Sequence, residues 1–332
     1  MCSPLQTRFL IAFFAALACL PLLGLPNLVD RGTQVMILCL FALSLNALIG
    51  HIGSISFGHA AFYAIGGYTC VILMTRLGAP LWLAMPAAIA LGALCALVIG
   101  YFCVRLNDIY FAMLTLAFSM LVWAVAYKWK DVTGGGDGFV GAKVPDWLRE
   151  RHGIFWLTFV VVALSTAALR MLSNSTMGQT FIAIRENATR AAFVGVNVRR
   201  MRLTAFVIAG AFGSVAGCLM ALMIRGMFPE SAFWAESGRV MIVVLLGGMH
   251  AFIGPIVGAI VLFLLEVSTA QHFEYWPFVL GLVLLAIVMV APDGLVSRVA
   301  RLLTRRPGGV VQAGGTAAAG QAAADTAGSS HA

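Results

Sequence analysis

Three polar side chains stand close together in a largely apolar sequence, and their chemistry suits a small polar solute. Ser54, Ser56 and His59 lie in the stretch "GHIGSISFGHAAF", among glycines and apolar residues. Hydroxyl and imidazole groups both donate and accept hydrogen bonds, so they can bind a solute or hold the backbone of an interrupted helix. For His59 and both serines these two roles remain open.

A second stretch, "LLGGMHAFIGPIVGA", is rich in residues that interrupt helices. Glycine and proline occur at breaks in membrane helices where protein encloses the backbone, and broken helices line the solute paths of transporters. Similar pentapeptides, "QVMIL" at 34 and "RVMIV" at 239, precede the two stretches and hint at an internal repeat. The candidate residues of a translocation path are Ser54, Ser56, Gly58, His59, Gly247, Gly248, Gly254 and Pro255.

The motifs give no support to enzymatic chemistry. The sequence has no paired carboxylates or nucleophile–base pair in a catalytic motif, and no His or Cys set at metal-ligand spacing. It also lacks the glycine-rich loop with a lysine that cradles nucleotide phosphates, so any ATP hydrolysis would have to come from a partner. We predict no catalytic residue, no metal site and no cofactor bound by this chain.

The composition predicts an integral membrane protein. Hydrophobic residues make up 61% of the 332 residues and charged residues only 10%, whereas soluble domains carry about 25% charged residues. The predicted fold is all-α, a polytopic membrane helix bundle with about 8–10 spans, some broken or re-entrant. This membrane domain would cover residues 1–300, with candidate spans at 9–29, 34–50, 55–75, 80–104, 109–127, 153–173, 203–223, 239–267 and 276–291.

The distribution of charge predicts the topology. The net charge of +8 comes from basic residues at span ends and in loops, which fits the positive-inside rule better than binding of nucleic acid. Segment 174–202, which we call the island, carries five arginines against one acidic residue and is therefore expected in the cytoplasm. One crossing per span then places loop 128–152 in the periplasm, together with the loop "RGMFPESAFWAESGR" at 225–239. The basic C-terminal region would be cytoplasmic if 239–267 crosses the membrane either twice or not at all. Residues 307–332 are expected to be a disordered, Ala/Gly-rich tail.

The island has the pattern of a short amphipathic helix. Ile184, Ala188, Ala191 and Gly195 fall on one helical face, and Glu186 would pair with the arginine four residues later. The small residues on this face favour close docking of another protein. The alternative is a helix lying on the lipid surface, which would call for large apolar anchors.

The segment "GQTFIAIRENATRAAFVGVNV" resembles the cytoplasmic coupling segment of ABC importer permeases of the branched-chain amino-acid family, the LivH/LivM type, and most of all its LivM branch. The stretches "GHIGSISFGHAAFYAIGGYT", "VTGGGDGFVG" and "VVLLGGMHAFIGPIVGAI" agree, so the resemblance covers about residues 33–295. The residues that match the coupling motif are Gly178, Ala183, Arg185, Glu186, Asn187, Ala191 and Gly195.

The resemblance implies a subunit of a bacterial inner-membrane importer for branched-chain amino acids or a related small polar solute. Its partners would be a second permease, two cytoplasmic ATPase subunits that use ATP, and a periplasmic solute-binding protein. Asp137, in "TGGGDG", is a candidate for docking of that binding protein. The chain departs from the family pattern at His51 and in "MHAF" at 249–252. The alternative function is an ion-coupled secondary transporter, which would favour charged residues within the spans.

Overall fold

The computed structural model describes most of the chain up to residue 272 and isolated positions beyond it. The described residues are 4–23, 26–106, 108–272, 278, 281–282, 285, 289, 294–296 and 298. The predicted span 276–291 lies largely outside them, and the predicted tail 307–332 lies wholly outside, so both remain predictions.

The described chain is almost entirely helical. Long uncharged runs become helices because a helix satisfies every backbone hydrogen bond internally, as an apolar environment requires. The helices are α1 Pro4–Cys19, α2 Pro26–Ile52, α3 His59–Arg76, α4 Leu81–Cys103, α5 Asp108–Lys128, α6 Lys130–Thr133, α7 Asp146–Arg149, α8 Arg151–Asn174, α9 Thr176–Glu186, α10 Ala188–Phe193, α11 Val198–Ile224, α12 Trp234–Gly247 and α13 Gly254–His272. Two short strands, β1 Phe139–Val140 and β2 Gly226–Met227, pair antiparallel.

Within the described ranges, five helices are long and apolar enough to cross a membrane by themselves: α2, α4, α5, α8 and α11. The predicted all-α, polytopic fold class is confirmed. The predicted boundary between the first two spans is wrong, because α2 begins at Pro26 and continues through 30–33. Asp30 is accommodated inside this helix since its carboxylate pairs with Arg151 at 3.0 Å, near the start of α8.

Both predicted interruptions are present. Residues 53–58 contain no helix and separate α2 from α3, and residues 248–253 separate α12 from α13. Each begins with a glycine at positive φ, Gly53 at 81° and Gly248 at 104°, a conformation that side chains disfavour. In 239–267 the structure shows two separate helices joined by a turn, an arrangement that both alternatives, no crossing or two, share.

The two ends of the bundle carry different segments. The sheet joins Phe139 to Met227 and Val140 to Gly226. Loop 128–152 and the connection after α11 therefore lie at the same end, as the crossing count predicts; we call it the loop face. The opposite end, the island face, carries α9 and α10 together with both interruptions. The start of α1 lies there too, because Arg170 Nη2 donates to Thr7 Oγ1 at 2.6 Å.

Helix α11 is central to the packing, with α2, α3 and α4 against it. Its contact with α3 is a backbone contact: a Cβ at Gly217 would clash with the carbonyl oxygen of Tyr63, and one at Gly66 would clash with that of Ser214. Small residues permit such close approach of membrane helices, where dispersion and hydrogen bonds drive association. Position 217 therefore sets the α3–α11 distance.

Gly217→Val is expected to lower the free energy of unfolding by about 1–3 kcal/mol, because the added atoms must push α3 away from α11. The midpoint of thermal unfolding of the purified protein in detergent measures the effect. Gly238→Ala is the control, since a Cβ there meets nothing within 4 Å. Equal midpoints for Gly217→Val and the unsubstituted protein would contradict this packing.

Candidate functional site at the two helix interruptions

The first interruption buries the polar residues that the sequence singled out. Ser54, Ser56 and His59 are all buried, at 3%, 0% and 0% exposed. His59 Nε2 lies 2.7 Å from the hydroxyl of Ser44, and its ring stacks on Phe41 with the centroids 5.3 Å apart. Ser56 Oγ accepts from the backbone N–H of Gly58 at 3.3 Å. Ser56 thus holds unwound backbone, one of the two roles left open.

The start of α3 is held inside the bundle by residues that sequence reasoning did not select. The N–H of Ala60 donates to Ser237 Oγ of α12 at 2.8 Å, and the N–H of Phe57 donates to Thr115 Oγ1 of α5 at 3.3 Å. Gly58 lies directly against the carbonyl of Thr115, where a Cβ would clash. Two distant helices therefore supply the hydrogen bonds that a buried helix start needs.

His59 retains one free ring nitrogen in this enclosed place. Its Nδ1 is buried and has no hydrogen-bond partner among the described residues. A buried polar atom without a partner carries a desolvation cost of about 1–3 kcal/mol. A polar group of a passing solute would remove that cost, so the second role, contact with solute, is compatible with the geometry.

The second interruption is built from close backbone contact. Gly247, Gly248, Gly254 and Pro255 are all buried. A Cβ at Gly247 would clash with the carbonyl of Gly254, and one at Gly254 would clash with that of Gly248. Pro255 stands at the second position of α13, where its missing N–H costs nothing. These four residues shape the α12–α13 hairpin and contribute no polar side chain.

The two interruptions touch each other, and one arginine of α9 contacts both. A Cβ at Gly50 would clash with the carbonyl of Met249. The Nη1 group of Arg185 donates to the carbonyl of Gly50 and lies 3.3 Å from His250 Nδ1. A Cβ at Gly53 would lie 2.8 Å from Arg185 Cγ. We call this arrangement the Arg185 junction.

The island is two helices, not one. Asn187 has φ −159° and ψ 99°, so α9 ends at Glu186 and α10 starts at Ala188. The Asn187 side chain accepts from the N–H of Arg190 at 2.8 Å, which stabilises the start of α10. The prediction of one continuous helix is therefore wrong. So is the predicted pair of Glu186 with Arg190, because the extended residue moves them off a common helical face.

Part of the predicted docking face of the island is turned toward the bundle. Ile184 and Ala191 are only 2% and 7% exposed, and they belong to an interior apolar cluster with Phe206. For these two residues the interpretation as a docking surface is wrong, because they pack inside the bundle. Ala188 is half-buried and Gly195 is exposed. Phe193 and Val194 protrude instead, at 87% and 81% exposed.

Comparison with known proteins places the chain in a family. The family described as "Branched-chain amino acid transport system / permease component" matches residues 27–288. The chain belongs to this permease family. The permease is 29% identical to the branched-chain amino acid permease LivM of Escherichia coli K12, over 87% of this chain and 75% of that protein. It is 23% identical to LivH of Salmonella typhimurium, over 78% of this chain and 91% of that protein.

A shorter match joins the permease to the autoinducer 2 import permease LsrC of Klebsiella pneumoniae, 29% identical over 52% of this chain and 50% of that protein. No solved structure matches. The family and the apolar helices together make this a multi-pass membrane permease of the ABC importer type. LivM and LivH are permeases of one kind of transport system, so the family implies a second permease.

The coupling-motif residues of the permease lie in distinct surroundings. Gly178 sits against the carbonyl of Ser173, where a Cβ would lie 2.6 Å away, so it permits the tight turn between α8 and α9. Ala183 and Glu186 are exposed. Gly195 has φ +92° and ends the island helices. Asp137 is exposed at the loop face, far along the bundle from the island. Their roles in coupling and docking remain predictions.

Sequence reasoning missed a charged cluster of the permease. Arg239 and Glu266 form a bidentate pair, with Nε–Oε1 2.9 Å and Nη2–Oε2 2.6 Å, and Glu236 lies 3.6 Å from the same guanidinium. With Gln34 and Tyr63 they line a cavity of about 130 Å³. The pairing joins α12 to α13 across 27 residues, which no local pattern shows.

Within the described ranges, no cluster of three or more His, Cys, Asp or Glu side chains is arranged to hold a metal ion.

Proposed function

We propose that this permease is an inner-membrane subunit of an ABC importer for amino acids. The solute would be a branched-chain amino acid or a related small polar solute. In this role it forms part of the translocation path and couples that path to ATP hydrolysis in partner subunits. The observation that carries the proposal is the Arg185 junction, where one side chain of the island contacts both helix interruptions.

The junction gives a physical route for coupling. A displacement of α9 acts on the carbonyl of Gly50 and on the turn that carries His250, because Arg185 contacts both. Charge-assisted hydrogen bonds of this kind are among the stronger polar contacts. Both interruptions would move together, and with them the first turn of α3, where His59 lies. Such a two-state rearrangement is how closure at one site opens or shuts another.

The surroundings of the path suit an uncharged or zwitterionic small solute. Next to the first interruption the buried groups are hydroxyls and the His59 imidazole, with aromatic rings beside them. Groups of this kind bind a polar solute without holding it tightly, as transport requires. We therefore propose Ser54, Ser56, Gly58 and His59 as path residues, enclosed by the hairpin of Gly247, Gly248, Gly254 and Pro255.

The partners follow from the same proposal. The protruding Phe193 and Val194 would enter a groove on one of two cytoplasmic ATPase subunits, and the second permease would complete the path. The periplasmic solute-binding protein would dock at the loop face near Asp137. The arginine-rich island and the basic C-terminal region would both be cytoplasmic.

The test is affinity purification of the chain from native membranes after gentle solubilisation, followed by identification of the co-purifying proteins and transport assays in liposomes. Recovery of a second permease and two ATPases, with uptake that requires ATP, is the expected result. The alternative is an ion-coupled carrier, which the charged cluster at Arg239 would suit. If the chain purifies alone and transports without ATP, the importer proposal is wrong and the carrier takes its place.

A further inference from the structure

A polar cavity lies beside the Arg185 junction at the island face. Its volume is about 160 Å³, room for roughly ten water molecules, which is the size of a small metabolite. It is lined by α9, the ends of α2 and α8, the 248–253 turn and the start of α1. The polar residues that line it are Gln6, Asn46, His51, Ser173, Asn174, Gln179, Arg185 and His250.

One wall of the cavity presents positive hydrogen-bond donors. Arg185 uses Nη1 for its contacts with Gly50 and His250, and its Nε and Nη2 have no partner in the described part of the chain. A guanidinium with two free donors matches the geometry of a carboxylate. None of the described residues that line the cavity is Asp or Glu, so none of them neutralises this charge.

The other wall presents acceptors without donors. The Oδ1 atom of Asn46 and the Oε1 atom of Gln6 are both buried, and neither has a hydrogen-bond partner among the residues described. Asn46 is only 1% exposed. Buried polar atoms are nearly always paired in folded proteins, so two such acceptors on one cavity point to a missing donor.

The two walls are close enough for one small molecule. Gly50 lies next to both walls. Its carbonyl accepts a hydrogen bond from Arg185, and a Cβ added to Gly50 would clash with Asn46 Oδ1. A ligand with a carboxylate and an ammonium on one carbon atom would supply an acceptor for the Arg185 donors and a donor for the Asn46 and Gln6 acceptors. Ile182, Met249 and Phe252 supply apolar surface beside them, which suits an aliphatic side chain.

We propose that this cavity binds a free aliphatic α-amino acid from the island face. The carboxylate binds Arg185 and His250, and the ammonium donates to Asn46 Oδ1 and Gln6 Oε1. The bound molecule bridges α1, α2, α9 and the 248–253 turn, so it stabilises this arrangement of the junction over any other. Given the proposed function, accumulated amino acid inside the cell would slow further import.

Binding is tested first on the purified chain alone, without ATP, with radiolabelled L-leucine as the probe. Two competitors, 4-methylpentanoate without the ammonium and 3-methylbutylamine without the carboxylate, are expected to bind at least tenfold more weakly than leucine. Gln6→Met keeps the side-chain length and removes the acceptor, and should weaken leucine binding at least tenfold. Gln34→Met is the matched control, because Gln34 lines the separate cavity at Arg239.

The outcomes separate the two possible places of binding. Weaker binding in Gln6→Met alone supports the junction cavity. Weaker binding in Gln34→Met alone assigns leucine to the other cavity and overturns the proposal, as does no binding at all or equal binding of either competitor.

The regulatory consequence is tested in liposomes that hold the complete transporter, with or without L-leucine inside. Internal leucine is expected to slow ATP-driven uptake at least threefold. For Gln6→Met, the uptake rate with leucine inside should equal that variant's own rate in liposomes without leucine. ATP-driven uptake without leucine binding would overturn this inference and leave the proposed function intact. The binding pattern above without any ATP-driven uptake would overturn the proposed function and leave the site intact.

Discussion

Phe193→Asp is expected to weaken the association of the permease with its proposed ATPase subunits by at least about a hundredfold. The Phe193 ring is 87% exposed at the end of α10. Burial of such a side chain at an interface contributes up to about 3 kcal/mol, and each 1.4 kcal/mol corresponds to about tenfold in affinity. An unpaired carboxylate in the same groove adds a desolvation cost.

The measurement is the amount of ATPase that co-purifies with the tagged permease from membranes. Val140→Asp is the control, because Val140 is also exposed, at 69%, but lies at the loop face. That variant should retain its ATPase subunits. Full recovery of ATPase with Phe193→Asp would show that the end of α10 is not the docking point.

Arg185→Met is expected to reduce ATP-driven uptake by about ten- to a hundredfold while the ATPases remain bound. Hydrogen bonds from charged groups contribute about 1.5–3 kcal/mol each, and the substitution removes the contacts of α9 with Gly50 and His250. The methionine keeps the aliphatic part of the side chain that packs on Gly53. Loss of uptake with retained ATP hydrolysis would therefore report uncoupling, not misfolding.

Uptake and ATP hydrolysis are both measured in liposomes with saturating solute-binding protein. Arg199→Met removes an exposed arginine of the same segment that lies outside the junction, and it should transport at the rate of the unsubstituted permease. Normal uptake by Arg185→Met would rule out the junction as the route of coupling.

Much of the fold could be predicted from the sequence because the signals are local. Uncharged runs of span length become helices, and the glycines at 53 and 248 mark the interruptions because few other residues adopt positive φ. The position of the two loops at one end follows from counting crossings, and the β1–β2 pair confirms it. The boundary at Asp30 could not be predicted, since it depends on a charge partner on α8.

The candidate site was only partly predictable because its contacts span large distances in the sequence. Arg185 matched the family's coupling motif, but its contacts with Gly50 and His250 appear only in the folded chain. The periodicity of the island predicted a single helix, which the structure divides because the Asn187 side chain bonds to the backbone and starts a new helix. Ser237 carries no motif, and only its position opposite Ala60 makes it part of the first interruption.

The β1–β2 pair also constrains the order of events during biosynthesis. Met227 is synthesised 88 residues after Phe139, its partner in the ladder. At about 5–20 residues per second, the ribosome needs roughly 4–18 s to make the second strand. Helices α8 and α11 must also be inserted before that strand reaches the loop face. The segment around Asp137 therefore emerges on its side of the membrane without its partner strand, and a membrane-impermeant protease added during synthesis should cleave nascent chains there more readily than completed ones.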